Sequence, residues 1–520
     1  MYISDKVIAE SHEGDVVVSE FSSWGVPGSL ELKPEIAAPG GEIYSVNGEV
    51  KSGDAYMNLS GTSMASPQVA GMAAVLMQYI RENGLAEKTG LSPRVLATSL
   101  LMATAEPLVD GESGSYYPVL QQGSGLADLA DAMAANAYIL MDETATSGAS
   151  DGKVKVELGD DPARDGVYNF GFTIHNFSDT AKTYSLTGDF FTQELYELDG
   201  VVYHGNHTTD LPVSATYTVG TEQLVVSSAL DCDLNGDGLT DAADAQVILE
   251  YAAGNATTVP AEADLSGDGL VNSYDAHLIL ASLKSAAFTV EAGKELHVQV
   301  KLELTDKAAL ESYVNGAYIE GFVKVLSSAD AEGMIDPTYS IPVLGFYGNW
   351  SDASMYDRAD YTDYVYDDFV FPYTGGLNYL SLFYGIDETY FVGNPYLIED
   401  TFPADRAALN PETELGDMAV TLIRNGAGFL FYILDGAGNI VDARGAEQLQ
   451  AAYYLEAYAA WVNVNNVGLS IWETPEQMGF KHGEQFTIGF MALPEYYEKD
   501  GALTIEDMKD RRRRGRWRCR

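Results

Sequence analysis

Two kinds of segment in this 520-residue chain hold residue types at spacings that could do chemistry. The first is Gly61-Thr62-Ser63-Met64-Ala65-Ser66-Pro67, which leads into a long apolar stretch. Unpaired backbone N–H groups at a helix N-terminus stabilise an oxyanion, and the helix dipole favours negative charge, so a serine placed there can serve as a nucleophile. Gly61 carries no Cβ, which lets a substrate backbone come close. The second is an acidic loop present twice. Residues 233–249 recur at 264–280, offset by 31, with ten of seventeen positions identical. Oxygen-bearing side chains stand at positions 1, 3, 5, 9 and 12 of each loop. They are Asp233, Asn235, Asp237, Asp241 and Asp244 in the first, and Asp264, Ser266, Asp268, Asn272 and Asp275 in the second. Position 6 is glycine in both, and position 7, Leu239 or Leu270, would offer a backbone carbonyl. Five or six hard oxygens around a flexible turn is calcium chemistry. An aspartate at position 12 reaches less far than the glutamate common there.

These residues need elements to hold them. The serine segment opens a helix expected from about Met64 to Glu82, in which Ala70, Gly71, Ala73 and Ala74 allow tight packing in a core. Ser92-Pro93 starts a second helix, as an N-cap followed by proline at the first helical position. Residues 21–135 therefore read as α/β. Each acidic loop is followed by an apolar helix, carrying Val247, Ile248 and Tyr251 or Leu278, Ile279 and Leu283. From about residue 150 the period changes to two. Phe170, Phe172 and Ile174 share one face of a strand, and Leu296, Val298, Val300, Leu302 and Leu304 alternate with polar residues. This predicts a β-sandwich over 150–346, interrupted by the repeat at 231–284, and a further sandwich over 347–508.

Composition narrows the function classes. Hydrophobic residues make up 46% and charged residues 20%, a globular balance. The net charge is −48, and seven of the 29 Lys and Arg fall in the last ten positions, so the body is more acidic still. Such a surface repels phosphate backbones and anionic lipid, which argues against nucleic-acid binding. Two cysteines, Cys232 and Cys519, exclude a disulfide framework; Cys232 reads as a free thiol. No run of apolar residues is long enough for a membrane span, and the N-terminal residues lack the features of a signal peptide. The arginine-rich end, 509–520, breaks abruptly with the acidic chain and reads as artefactual.

The string GTSMASP-x-VAG resembles the serine signature of the subtilases. Three more segments fall in that family's order: Phe21-Ser22-Ser23-Trp24-Gly25, Ala38-Pro39-Gly40 and Gly123-Ser124-Gly125-Leu126. Their spelling is most similar to the lactocepin-type cell-envelope proteinases. The resemblance implies that Ser63 is the nucleophile of a serine endopeptidase and that its N–H is one oxyanion donor. Gln68 departs from the His of many relatives but lies outside the triad. The larger departure is upstream. A subtilase serine needs a general base and an aspartate behind it. Only His12 precedes Ser63, with just Asp5 before it, and neither context nor spacing fits. Residues 1–140 are therefore read as the C-terminal part of a catalytic domain, inactive in isolation and belonging to a longer exported protein.

The two loops with one helix apiece resemble a type I dockerin over 231–284. That implies calcium as cofactor, a cohesin module as partner, and Ala242, Ala243, Ser273 and Tyr274 near the partner-facing positions. The flanking strands resemble the fibronectin type III-like domains that follow lactocepin-type catalytic domains. The expected fold is multidomain: a partial α/β subtilisin-like domain, then fibronectin type III-like β-sandwiches with a small all-α calcium-binding dockerin inserted. The expected function is a secreted or cell-surface peptidase acting on protein or peptide substrate. The rival is a non-catalytic adhesion or scaffold-docking protein with a relic protease segment.

Overall fold

The computed structural model describes residues 16–25, 30–48, 55–111, 113–142, 151–198, 201–314, 316–329, 335–350, 379–383, 389–392, 416–420, 426–449, 453–455, 460–462, 467–471, 475–481 and 483–494. His12 and Asp5 lie outside these residues, as does the basic tail.

The serine segment begins with an antiparallel hairpin of β1 (Ile43–Val46) and β2 (Tyr56–Leu59). Helix α1 (Thr62–Glu82) follows, then α2 (Leu85–Thr89), α3 (Pro93–Ala103), α4 (Val119–Gln122) and α5 (Leu129–Ala134). The Ser92 side chain accepts from Val95 N at 3.3 Å, with Pro93 at the first helical position, so α3 starts where its sequence signals place it. Leu76 and Ile80, one turn apart on α1, are buried in the same core as Leu96 and Leu100 of α3. The opposite face of α1 is uncovered. Ala70, Gly71 and Ala74, expected in a core, are exposed, because none of the described residues packs over them.

The chain then runs straight into two sheets. Strand β3 (Ala137–Met141) leads, followed by β4 (Val156–Asp161), β5 (Val167–Asn176), β6 (Lys182–Leu198), β7 (Val201–Asp210), β8 (Val213–Val219) and β9 (Glu222–Gln223). The short β10 (Val226–Ser227) and β11 (Lys284–Ser285) bracket helices α6 (Ala242–Ala252) and α7 (Ser273–Ser282). After them come β12 (Phe288–Val290), β13 (Glu295–Leu304), β14 (Ala317–Ser327) and β15 (Tyr339–Tyr347). One sheet has the order β12-β6-β14-β15-β4, with β7 also on β6; the other is β3-β5-β13-β8-β9. They face each other across one core that includes Phe170, Phe172, Val298 and Val300 from one sheet and Leu186, Val323, Ile341 and Val343 from the other. The alternation in β13 is borne out: Val298, Val300, Leu302 and Leu304 are buried and the residues between them exposed. Strand β15 is instead buried along its whole length. The serine segment covers the outer face of its sheet, where Leu32, Val119 and Leu120 meet Phe191, Phe322 and Leu344.

Polar groups join these layers. The buried Lys155 ammonium donates to Leu32 O at 3.1 Å and to Glu157 at 2.6 Å. Tyr116 OH donates to Asp189 at 3.0 Å, and Lys324 reaches the same carboxylate at 2.7 Å. Glu320 on β14 is fully buried; it accepts from Leu120 N at 3.2 Å and from the Gln193 amide at 3.0 Å. Burial pushes its carboxyl up to about 7, against the opposing pull of the Leu120 N–H, the Gln193 amide and the Val119 N–H. The folded value exceeds the ordinary 4.5, so this group's contribution to stability is full below about pH 4.5 and is lost as pH rises through about 7. Glu320→Gln should flatten the pH dependence of unfolding across that window by about 3 kcal/mol. Urea titrations at several pH values check it; an unchanged slope would show that Glu320 ionises normally.

The paired helices leave and rejoin the sheets at one point. Strands β10 and β11 are antiparallel partners, with Val226 opposite Ser285 and Ser227 opposite Lys284. Replacing residues 229–282 with an Asn-Gly turn should therefore leave the two sheets folded, since the ends already meet as a hairpin. Cooperative melting within a few degrees of the parent is expected; a molten product would mean that the inserted helices are integral to the sheets.

Farther along, the described residues between Tyr379 and Pro494 form nine strands, in sheets of four, three and two.

Candidate functional site

Ser63 sits in the first turn of α1 and is exposed. Among the described residues no side chain caps this helix N-terminus. Gly61 precedes it with φ 151°, and its N–H donates to Gly40 O at 2.8 Å. A Cβ on Gly40 would lie 2.8 Å from Gly61 O, so the Ala38-Pro39-Gly40 segment meets the serine turn backbone to backbone and only glycine fits there. Gln68 ties the same two segments, its amide donating to Pro39 O at 2.7 Å.

The other signature segments converge on this frame. Gly25 N donates to Leu120 O at 2.8 Å. Ala37 N donates to Gly125 O at 2.8 Å, and Ser124 N to Glu35 O at 3.0 Å. Gly125, at φ 108°, passes so close to Glu106 that a Cβ would stand 2.1 Å from its carbonyl oxygen. Segments up to a hundred residues apart thus brace one turn. What they do not bring to Ser63 is a base: among the described residues its hydroxyl has no hydrogen-bond partner.

Beside Ser63, one face of α1 exposes Ser66, Pro67, Ala70, Gly71, Ala74 and Val75. The hairpin adds Tyr44, Val46, Tyr56 and Leu59, all exposed, with the two tyrosine rings stacked at 5.3 Å. A surface of small and apolar side chains such as this one, next to Ser63, is the kind that another layer of protein covers.

The two acidic loops fold alike. Asp233 accepts from Gly236 N at 2.7 Å and Gly238 N at 2.9 Å; Asp264 accepts from Gly267 N and Gly269 N, both at 2.9 Å. Position 5 bonds position 7 in each, Asp237 from Leu239 N at 2.9 Å and Asp268 from Leu270 N at 2.8 Å. Gly238 and Gly269 hold φ of 92° and 86°, the left-handed turn that glycine adopts freely. Position 9 caps the following helix: Asp241 accepts from Ala243 N and Asn272 from Tyr274 N. Position 12 closes the loop. Asp244 accepts from Leu234 N, Asn235 N and Asp241 N, and Asp275 from Ser266 N and Asn272 N; both side chains are buried. Burial works against the Asp275 carboxylate, but N–H groups of Asn272, Ser266 and Leu265 and the Ser266 hydroxyl hold its pKa below the ordinary value. Position 3 is Asn235, accepting from Asp237 N, and Ser266, whose hydroxyl lies 3.3 Å from Asp264. Among the described residues no three His, Cys, Asp or Glu side chains converge as a metal-holding group. The donor set is nonetheless all oxygen, on loops already turned by glycine, which fits a hard divalent cation.

The helices behind the loops pack through Ala245, Ile248, Ala276 and Ile279, again offset by 31. Ala242, Ala243, Ser273 and Tyr274 are exposed at the helix starts. Cys232 is a free, buried thiol, pushed up by burial and then by Asp244 and Glu262.

Residues 9–138 match the family model described as the subtilase family, and residues 231–284 match the dockerin type I domain. The chain carries a subtilase segment and an inserted type I dockerin. A PII-type proteinase of Lactococcus lactis subsp. cremoris is 26% identical over 454 residues, covering 85% of this chain and 19% of the relative. A C5a peptidase of Streptococcus pyogenes is 27% identical over 355 residues, 67% of this chain and 23% of that protein. The chain thus spans about a fifth of the length of these relatives. Among solved structures, a family 123 glycoside hydrolase from Clostridium perfringens aligns with 41% of this chain and 27% of its own at 8% identity, with a TM-score of only 0.18. Among the described residues of the subtilase-bearing chain, no helix is long and apolar enough to cross a membrane.

Proposed function

We propose that this chain supplies the nucleophile-bearing part of a subtilisin-like serine endopeptidase, secreted or at the cell surface, and that its dockerin holds it to a cohesin module. One observation carries the catalytic half: Ser63 stands exposed on an uncapped helix start, braced by the other signature segments. In this reading Ser63 Oγ attacks the scissile carbonyl of a protein or peptide. Its own N–H, at the positive end of α1, meets the oxyanion. The general base and its aspartate come from protein that covers the exposed face of α1. Calcium is held by Asp233, Asn235, Asp237, the Leu239 carbonyl, Asp241 and Asp244, and by Asp264, Ser266, Asp268, the Leu270 carbonyl, Asn272 and Asp275. The ion supplies positive charge that lets these carboxylates share a loop. The sheets between residues 137 and 347 take the place of the fibronectin type III-like domain.

Co-expression tests the catalytic half. The chain together with a polypeptide bearing the Asp and His of a subtilase domain should become labelled at Ser63 by a fluorophosphonate probe. A stable complex that stays unlabelled would favour the docking-only reading, in which the serine segment is a relic.

A further inference from the structure

The two dockerin loops are nearly superimposable in sequence and hydrogen bonding, yet they are wired differently to the rest of the chain. In loop one, position 8 is Thr240, buried. Its carbonyl accepts from Ser228 N at 2.7 Å, and its hydroxyl accepts from Cys232 N at 3.0 Å. Both donors lie on the segment that enters the module from β10. Ser228 Oγ in turn lies 2.6 Å from Ser282 Oγ, on the last residue of α7, where the chain leaves the module. The leaving segment is fastened to the sheet core. Leu186 N on β6 donates to Ser285 Oγ at 2.9 Å, Thr187 Oγ1 donates to Leu283 O at 2.7 Å, and Ala286 N donates to Val225 O at 2.7 Å.

Among the described residues, loop two itself makes no such bond to the entering segment; its helix α7 meets the junction only at its far end, Ser282, and just ahead of the loop Glu262 O accepts from Cys232 Sγ at 3.4 Å. Thirty-one residues on, the positions equivalent to Thr240 and Ser228 are Val271 and Val259, neither with a hydroxyl. The equivalent of Cys232, Ala263, donates instead to Pro260 O within its own turn.

We propose that loop one is the coupling site of the pair: filling it with calcium locks the junction between the dockerin and the sheets through Thr240, whereas filling loop two does not. The inference rests on the calcium reading given above. Position 7 and position 9 of loop one, the Leu239 carbonyl and Asp241, flank Thr240 directly in the chain. An ion that draws on both restricts Thr240, and Thr240 holds the entering strand by two hydrogen bonds. The same ion in loop two restricts Val271, which donates and accepts nothing across the junction among the described contacts. Calcium in loop one would thereby set how stiffly the dockerin is carried on the protein, in addition to stabilising the module's own fold.

Hydrogen exchange on the full chain, read by mass spectrometry, tests this, with calorimetry on the same samples counting bound calcium. The isosteric Thr240→Val should still bind two ions. With calcium present, it should raise exchange at Cys232, whose N–H loses the hydroxyl it donates to, at least tenfold, and at Ser228 and Ala286 several-fold as the junction loosens, while α6 and α7 stay protected. Thr240→Ser, which keeps the hydroxyl, should restore slow exchange. At Leu186 and Ala286, Asp233→Ala should accelerate exchange several-fold more than Asp264→Ala. Wild-type protection at the junction in a Thr240→Val chain that binds two ions overturns the coupling and leaves the calcium reading intact. Equal effects of Asp233→Ala and Asp264→Ala at Leu186 and Ala286 also overturn it. Absence of any calcium heat removes the calcium reading itself, and the coupling with it.

Discussion

The chain by itself should hydrolyse no peptide and should take up a fluorophosphonate at least 10⁴-fold more slowly than an active subtilase, an effect on the order of losing a triad base. A serine hydroxyl is a poor nucleophile at neutral pH unless a base removes its proton as it attacks. Ser63 has the helix N-terminus and the glycine approach, but no imidazole bonds to it among the described residues. Residual rate would come only from oxyanion stabilisation, which cannot replace the base. Ser63→Ala should therefore change nothing measurable in the lone chain. In the complex with an Asp- and His-bearing partner, the same substitution should remove all peptide cleavage and all labelling. Rapid labelling of Ser63 in the lone chain would mean that a base reaches it after all, with His12 the first residue to substitute. Binding of the partner should also bury the small-residue face of α1, read as protection of Ala70, Gly71 and Ala74 from exchange.

Chelation should unfold the dockerin while the sheets stay folded. In loop one, Asp233, Asp237, Asp241 and Asp244 crowd a single turn, and in loop two Asp264, Asp268 and Asp275 do so. Without a cation these charges repel across a few ångströms, and the module's core is small, with Ala245, Ile248, Ala276 and Ile279 at its centre. At a free calcium a thousandfold above the dissociation constant, each ion stabilises by about 4 kcal/mol, comparable to all that a module of this size can spare. Circular dichroism should show the helical signal of residues 231–284 fall on adding chelator and return with calcium. Magnesium should restore it poorly, because it demands a tight octahedral shell and gives up its waters reluctantly. Asp233→Ala combined with Asp264→Ala should reproduce the chelated state at saturating calcium, and cohesin binding should vanish with it. A helical signal indifferent to chelator would reduce the repeat to an acidic loop that folds on its own hydrogen bonds. Those bonds are already present, from Gly236 N and Gly238 N to Asp233 and from Leu234 N to Asp244, so the experiment separates two real possibilities.

Much of this was legible one residue at a time because it is local. The Ser92-Pro93 start of α3 is satisfied within four residues. The twelve-residue loops close on themselves, so spacing alone located their glycines and their closing carboxylates. Strict alternation located β13, because one face of a strand is either buried or it is not. The serine signature was likewise a local string, and its missing base could be seen as an absence of histidine nearby.

What tertiary structure decided is where distant pieces meet. The sequence has small residues on both faces of α1, and only the fold shows that Leu76 and Ile80 are covered while Ala70 and Gly71 are not. Glu320 reads as an ordinary surface glutamate in a strand; its burial depends on Leu120, 200 residues away, arriving over the sheet. The return of β11 to β10 and the grip of Thr240 on Ser228 likewise have no signature in one dimension, apart from a threonine standing where the second repeat has valine. Local hydrogen bonds depend on residues a few positions apart, so spacing encodes them. Burial and long-range pairing depend on which surfaces the whole chain brings together, and no short string of residues carries that information.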